Sequence, residues 1–587
     1  MQLKNMHKVA NSNKNILIMK LICIFLFSIQ FQMHFKEEPY ENIKRYLQEK
    51  DEYDNFIVLY FKENCNYSRG FKNRYREDIS FIINRENNNT KIDNGERLII
   101  NKNFGIEIHF NKSIKNLQHF FDLYEDNNMK YVISIDFSNF NGSLVFSMSY
   151  MFRGCSSLES INLSNFDASS VIFMYSMFFG CNSLKSLDLS NFNTSSVIDM
   201  SYMFYECSSL EYINLSNFNT SSVIEMRYMF DGCNSLKSLN LSNFNTLSVI
   251  YMNYMFRRCS SLEYIDLSNF NTLSVTTMYS MFHGCSSLES INLSSFNTSS
   301  VIDMSYMFYE CSSLEYINLS NFDASSVIDM YSMFYGCNSL QSLDLSNFIT
   351  SSVTTMNSMF YGCSSLEYID FSNFNTSSVT TMYSMFYGCD SLKSMDLSNF
   401  NTSSVTTMNS MFYGCSSLKS LNLSSFITSS VKDMSYILYG CNSLQYIDLS
   451  NFNMINCNSF ANMFSYINNI KFINLYNFSN DKIISQIFND SKELYVCQKN
   501  KIITKPNIYN CCDYNFETNE CYSNNNNTDI IIPKNISLEA ILSIIFGIIF
   551  ITAIILLIIY FYKKKKKNSS LPRQDEIPAI NSPLVSN

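Results

Sequence analysis

Histidine is scarce in this chain: five in 587 residues, at His7, His34, His109, His119 and His283. With so few, no Ser/His/Asp or Cys/His arrangement can be assembled, and no zinc-type Cys/His spacing occurs. Glycine is also low, at 14 residues, and none forms a phosphate-cradling loop. Carboxylates paired for acid–base work are missing too. These absences speak against an enzyme, and no metal or cofactor is expected.

What is present is a period. Cys155, Cys181, Cys207, Cys233, Cys259, Cys285, Cys311, Cys337, Cys363, Cys389, Cys415 and Cys441 each lie 26 residues after the last. A fixed period over so long a stretch marks stacked identical units, each leaning only on its neighbours. A single unit buries too little to hold itself folded.

One unit runs from Ser209 to Cys233. In its first half Ile213 and Leu215 point inward while Tyr212, Asn214 and Ser216 alternate outward, the pattern of a strand. In its second half Val223, Met226, Phe230 and Cys233 are spaced 3, 4 and 3, which predicts a short helix. Thr220 or Ser221 would cap its start and Gly232 its end. Glycine holds that end position in nine of twelve units, but Glu206, Arg258 and Glu310 fill the others, so the backbone there is expected not to be strictly left-handed. The phase extends to Val132–Phe137 before the array and to Ile470, Ile473 and Leu475 after it, with Ile467 in the cysteine slot. That makes about 14 strands in register.

The segment Leu210-x-x-Ile213-x-Leu215 is similar to the strand of a leucine-rich repeat. The unit MFYGCSSLEYIDLSNFNTSSVTTM resembles BspA-like leucine-rich repeats, in particular the 26-residue-repeat surface protein subfamily, over residues 129 to about 480. The resemblance implies an α/β repeat solenoid, a parallel β-sheet with short helices on the convex side, on a cell-surface protein acting in adhesion. Phe218 stands where ordinary leucine-rich repeats place Asn or Cys, so their asparagine ladder is not expected here.

The ends suggest a membrane topology. Lys4, Lys8, Lys14 and Lys20 precede a short apolar run at 21–28, the pattern of a signal peptide within 1–35. Residues 540–562 carry no charge and are long enough to cross a bilayer as one helix; Lys563 to Lys567 follow and place 563–587 in the cytoplasm. The expected product is a single-pass type I plasma-membrane protein. Its exterior would comprise a non-repeat capping domain at 36–128, a solenoid at 129–490 and a Cys/Asn-rich cap and stalk at 491–539. The net charge is −9; each end segment carries a net +4, leaving −17 on residues 36–539. Such a surface repels phosphate backbones, so nucleic acid is not an expected partner.

The twelve repeat cysteines read as a buried ladder of free thiols, because C-x25-C lacks metal-ligand pairing and parallel Cβ vectors suit disulfides poorly. Cys497, Cys511, Cys512 and Cys521 instead read as disulfide candidates in an oxidising exterior. Asn193, Asn219, Asn297, Asn375 and Asn401 are turn sequons, candidates for glycan. The ligand-binding candidates lie on the outward strand columns: Tyr212, Asn214, Tyr264, Asp266, Tyr316, Asn318, Asp344, Tyr368, Asp370 and Asp396. Tyrosines give low-entropy contact area. Asp344, Asp370 and Asp396 fall on consecutive strands, so raised pKa values or a weakly held cation are expected.

Before the array, a strand at 54–61 followed by Cys65-Asn-Tyr-Ser68 resembles the thioredoxin strand, C-x-x-S and helix, without the second cysteine. The reading is therefore a surface protein that binds protein or glycan non-catalytically, at a cell or matrix surface. The alternatives are a sensing receptor signalling through an adaptor on its short tail, and a redox activity in the N-terminal region.

Overall fold

The computed structural model describes residues 55–67, 79–84, 90–92, 98–100, 102, 104–110, 113–124 and 127–476, together with strands at Leu494–Cys497, Ile508–Asn510, Tyr514–Asn515 and Glu520–Cys521. The expected signal (1–35), membrane span (540–562) and tail (563–587) lie outside these residues. Among the described residues no helix is long and apolar enough to cross a membrane.

The chain divides into two compact units, one of residues 1–249 and 258–269, the other of 250–257 and 270–587. Both are parallel β-solenoids with a coil of 26 residues; together they hold about 13 turns and almost no helix. Thirteen of the fourteen expected strand positions carry a strand, from Val132–Asp136 to Phe472–Asn474. The exception is 394–396, where Met395 takes the place of the Ile or Leu of the other coils. Each coil packs the same residues inward. In the coil ending at Cys233, Leu210, Ile213, Leu215, Phe218, Val223, Met226, Met229, Phe230 and Cys233 are all buried.

In the first unit, strands β1 (Phe56–Phe61), β3 (Ile79–Asn84), β4 (Thr90–Ile92), β6 (Ile106–Phe110), β7 (Val132–Asp136) and β8 (Ser160–Asn162) form a sheet in the order β4-β3-β6-β1-β7-β8. Here β1 runs antiparallel to β7, and β7 parallel to β8, so the pre-repeat segment covers the open edge of the first coil. β2 (Cys65–Tyr67) pairs antiparallel with β5 (Leu98–Ile100). A strand thus occupies the place where the thioredoxin-like reading required C-x-x-S to open a helix, and that reading is corrected: Cys65, Asn66 and Tyr67 find ladder partners in a β-branched segment. In the second unit the parallel ladder runs on past residue 490, through Leu494–Cys497 to Ile508–Asn510.

The short helices are not there. Between Met174 and Cys181 the backbone makes successive reverse turns, Met177 N–H to Met174 C=O, Phe179 to Ser176 and Cys181 to Phe178. The intervening N–H groups of Met174, Ser176, Phe178 and Gly180 donate instead to Asp199, Ser201, Met203 and Tyr205 of the next coil, at 2.7–3.0 Å. The device is a pair of left-handed residues four apart, Ser176 (φ 54°) and Gly180 (φ 72°), each third in a turn, as a type II turn demands. A helix cannot pass through them. The apolar 3-4-3 spacing survives because a run of turns also returns side chains inward every third or fourth residue.

Two further expectations are corrected. The glycine position is left-handed throughout, with Glu206 at φ 56°, Arg258 at 57° and Glu310 at 56°. Thr220 does not cap a helix: it is buried, and its hydroxyl donates to the Asn245 carbonyl (2.9 Å) and accepts from the Asn245 N–H (2.8 Å). Thr298 with Asp323, Thr350 with Asn375 and Thr402 with Ile427 repeat the double bond in the second unit. Such staples satisfy backbone groups that coil stacking would otherwise bury unpaired.

Candidate ligand-binding faces

The strand face presents Tyr212 and Tyr264 in the first unit and Tyr316 and Tyr368 in the second. They are 58–61% exposed, and no other ring lies against any of them among the described residues. Each is in register with a serine on the preceding strand: Tyr212 with Ser186, Tyr264 with Ser238, Tyr316 with Ser290 and Tyr368 with Ser342. Tyr446 differs, since it is half-buried, stacks on Phe472 at 5.6 Å, and lies 3.4 Å from Asp448, so burial pushes its hydroxyl pKa up.

The acidic and amide candidates are spent differently from the expectation. Asn214, Asp266, Asn318, Asp344, Asp370 and Asp396 each turn Oδ1 back to accept the N–H of the serine two residues on, at 2.8–3.2 Å. These are Asx turns ending each strand. They hold the carboxyls of Asp344 and Asp396 below the usual range, because Ser346 and Ser398 donate to them, and Asp266 is lowered by Ser268 in the same way. For Asp344 and Asp396 the expected raised pKa values are thus corrected: local hydrogen bonds outweigh repulsion between exposed, solvated charges.

The twelve repeat cysteines are buried and free, and Cys457 joins them. Each ladder thiol donates to a phenylalanine carbonyl of a preceding coil, as Cys363 does to Phe334 (3.1 Å). Burial pushes the Cys207, Cys311, Cys363 and Cys441 thiols up to about 12. Such thiols are poor nucleophiles. Cys497 is disulfide-bonded; the side chains of Cys511, Cys512 and Cys521 lie outside the described residues. Asn193, Asn219, Asn297, Asn375 and Asn401 are exposed, each bonding the serine N–H two residues on at 3.1 Å.

Two features escaped the sequence reading. An asparagine ladder does exist, one residue before the expected place: the Nδ2 of Asn191, Asn269, Asn347 and Asn399 donates to a serine carbonyl of the preceding coil at 2.7–2.9 Å. Phe218 is freed to pack inside, stacked on Phe244. The second feature is a tyrosine stack on the turn face of the second unit. Tyr309, Tyr335, Tyr361, Tyr387, Tyr413 and Tyr439 follow one another with centroids 4.3–4.5 Å apart and planes within 11°. Its signal was in plain view, a tyrosine two residues before the cysteine in six consecutive units.

The family model described as "Mycoplasma protein of unknown function, DUF285" matches residues 115–238, 209–317, 238–342, 303–395 and 380–499. The chain belongs to the DUF285 family. The overlapping matches follow the solenoid coils, in keeping with a DUF285 unit of several 26-residue turns. No curated protein matches the chain. Among solved structures it is similar to a chain of the "Crystal structure of TLR13-ssRNA13 complex", at 18% identity over 58% of this chain and 52% of that one, with a TM-score of 0.23. The chain thus spans about half the length of that protein.

Proposed function

We propose that this chain is a cell-surface protein of the BspA-like leucine-rich-repeat kind, held in the membrane by 540–562 with the solenoid outside, which binds a protein or glycan ligand without catalysis. The observation that carries this reading is the strand face: four tyrosines, uniformly exposed and in register with serines on the preceding strands. Rigid aromatic side chains give contact area at small entropic cost. The repeat thiols are buried and the strand-face aspartates are bound into turns, so both sets are committed to structure.

The test displays the full-length chain on cells and screens attachment to matrix proteins and immobilised glycans. The Tyr212→Ala, Tyr264→Ala, Tyr316→Ala, Tyr368→Ala variant is expected to attach at background level while reaching the surface normally. Full attachment by that variant would end the proposal. Deleting 568–587 separates adhesion from sensing: an adhesin keeps attachment with nothing else lost, whereas a receptor keeps binding and loses a cellular response.

A further inference from the structure

We infer that the ligand of the strand face is a neutral, extended β-1,4-linked glycan lying along the solenoid axis; this rests on the non-catalytic binding reading above.

The four tyrosines share one local setting. Glu211-Tyr212-x-Asn214, Glu263-Tyr264-x-Asp266, Glu315-Tyr316-x-Asn318 and Glu367-Tyr368-x-Asp370 each place an exposed carboxylate before the ring and an amide or carboxylate after it. In the serine strands between them the residue before is Lys185, Lys237, Glu289 or Gln341, and no ring is present. An apolar ring face flanked by hydrogen-bonding oxygens and amides suits a sugar, whose C–H face is apolar and whose rim is hydroxyl. The Asx turns use only one oxygen of each Asn or Asp, which leaves the Asn214 and Asn318 amides and the second carboxylate oxygens of Asp266 and Asp370 for the sugar rim.

Spacing selects the linkage. Within each unit the two tyrosines are two coils apart, and the coil between carries a serine that leaves the path clear. Two inter-strand steps make about 10 Å. That is close to one disaccharide of an extended β-1,4 chain, in which every second ring turns the same face the same way. Rings n and n+2 would then rest on Tyr212 and Tyr264, or on Tyr316 and Tyr368. An α-linked glucan curves and does not keep this step.

Charge selects a neutral chain. Each tyrosine is preceded by a glutamate; Glu367 is paired with Lys393 at 2.7 Å, and among the described residues no ion pair is found for Glu211, Glu263 or Glu315. A sulfated or uronic-acid chain would meet a carboxylate at every platform, which Lys237 on the coil between Tyr212 and Tyr264 and Lys393 against Glu367 offset only in part.

The experiment measures binding of cello- and chito-oligosaccharides of two to six sugars to the full-length chain in detergent micelles, with malto-oligosaccharides beside them. A disaccharide reaches one platform and a trisaccharide or longer reaches two. Affinity for the β-1,4 series is expected to step up by about tenfold or more between two and four sugars, as bivalent engagement allows. The malto series should show no step. In Tyr212→Ala, Tyr316→Ala each unit keeps one ring, and the step should vanish. In Ser238→Tyr, Tyr264→Ser, Ser342→Tyr, Tyr368→Ser the ring number is unchanged but the rings sit on adjacent coils; the step should vanish there as well. A step retained in that variant, equal steps for both linkages, or no β-1,4 binding at all would overturn the inference. If a matrix protein is captured instead, and capture is lost in the fourfold alanine variant, the glycan fails while the binding reading stands. Loss of neither would remove both.

Discussion

Tyr361 and Tyr387 lie ring on ring, their centroids 4.3 Å apart and their planes within 4°. They sit in the middle of the six-ring stack, so each has a neighbour above and below. An aromatic pair contributes about 0.5–1.5 kcal/mol beyond its area. Tyr387→Ala, which breaks two pairs, is expected to lower stability by about 1–3 kcal/mol in urea titration, and Tyr387→Phe to restore most of it. If alanine were tolerated as well as phenylalanine, the stack would be an incidental consequence of coil spacing.

The other turn-face tyrosines bear on alkaline stability. Burial, reinforced by neighbouring tyrosines, pushes Tyr175, Tyr279 and Tyr306 up to about 12 from an ordinary 10.0. A group whose pKa rises on folding contributes its stability fully below the unfolded value and loses it as pH climbs through the folded one. The thermal midpoint should therefore fall between about pH 10 and pH 12. Buried thiols, raised to about 12 from 9.0, act in the same direction. Tyr279→Phe removes one such group and should flatten the decline measurably; an unchanged slope would mean this ring titrates normally.

The period was legible because every coil spends its polar side chains on its neighbours in the same way. A cysteine, a threonine or an asparagine displaced by one residue would lose its partner 25 to 29 residues away. The inward set followed from alternation in the strand, and Tyr212, Tyr264, Tyr316 and Tyr368 stand outward as that alternation expects. The helix reading went astray because Val223, Met226, Phe230 and Cys233 fit two backbones equally well. What separates them is handedness at Tyr228 (φ 58°) and Gly232 (φ 79°), and tyrosine gives no warning of a left-handed φ. The tyrosine stack was missed because its column, two residues before each cysteine, lies off the inward stripe of Val223, Met226, Phe230 and Cys233 that the helix reading followed. Asp344 and Asp396 misled through a local effect: the serine two residues on outweighs the charge 26 residues away.

The thiols give a direct chemical count. All twelve ladder cysteines are free, buried and raised in pKa or hydrogen-bonded to a carbonyl, so a polar alkylating reagent at pH 8 should label essentially none of them in the folded chain. Denaturation without reductant should expose the whole set, with Cys457 among them. A denatured, unreduced chain with few reactive thiols would mean that the coils are cross-linked. Cys337→Ala, which removes the S–H donor to the Phe308 carbonyl (3.1 Å) and leaves a small void, should cost about 1–3 kcal/mol.

The left-handed position before each cysteine permits a test of opposite signs. Gly388 has φ 68°, and a Cβ there would meet nothing nearer than the Gly362 Cα at 3.8 Å, so Gly388→Ala carries a conformational penalty without a clash. It should cost about 1–2 kcal/mol. Glu310 already carries that penalty at φ 56°, while its N–H is bonded to the Tyr335 carbonyl at 2.6 Å, so the backbone is held whichever residue is present. Glu310→Gly should therefore gain about 1 kcal/mol, less what the unfolded chain regains in freedom. Chemical denaturation midpoints of the two variants, with unchanged m-values, should move to opposite sides of the parent. Both moving the same way would show that side-chain contacts, and not backbone handedness, govern this column.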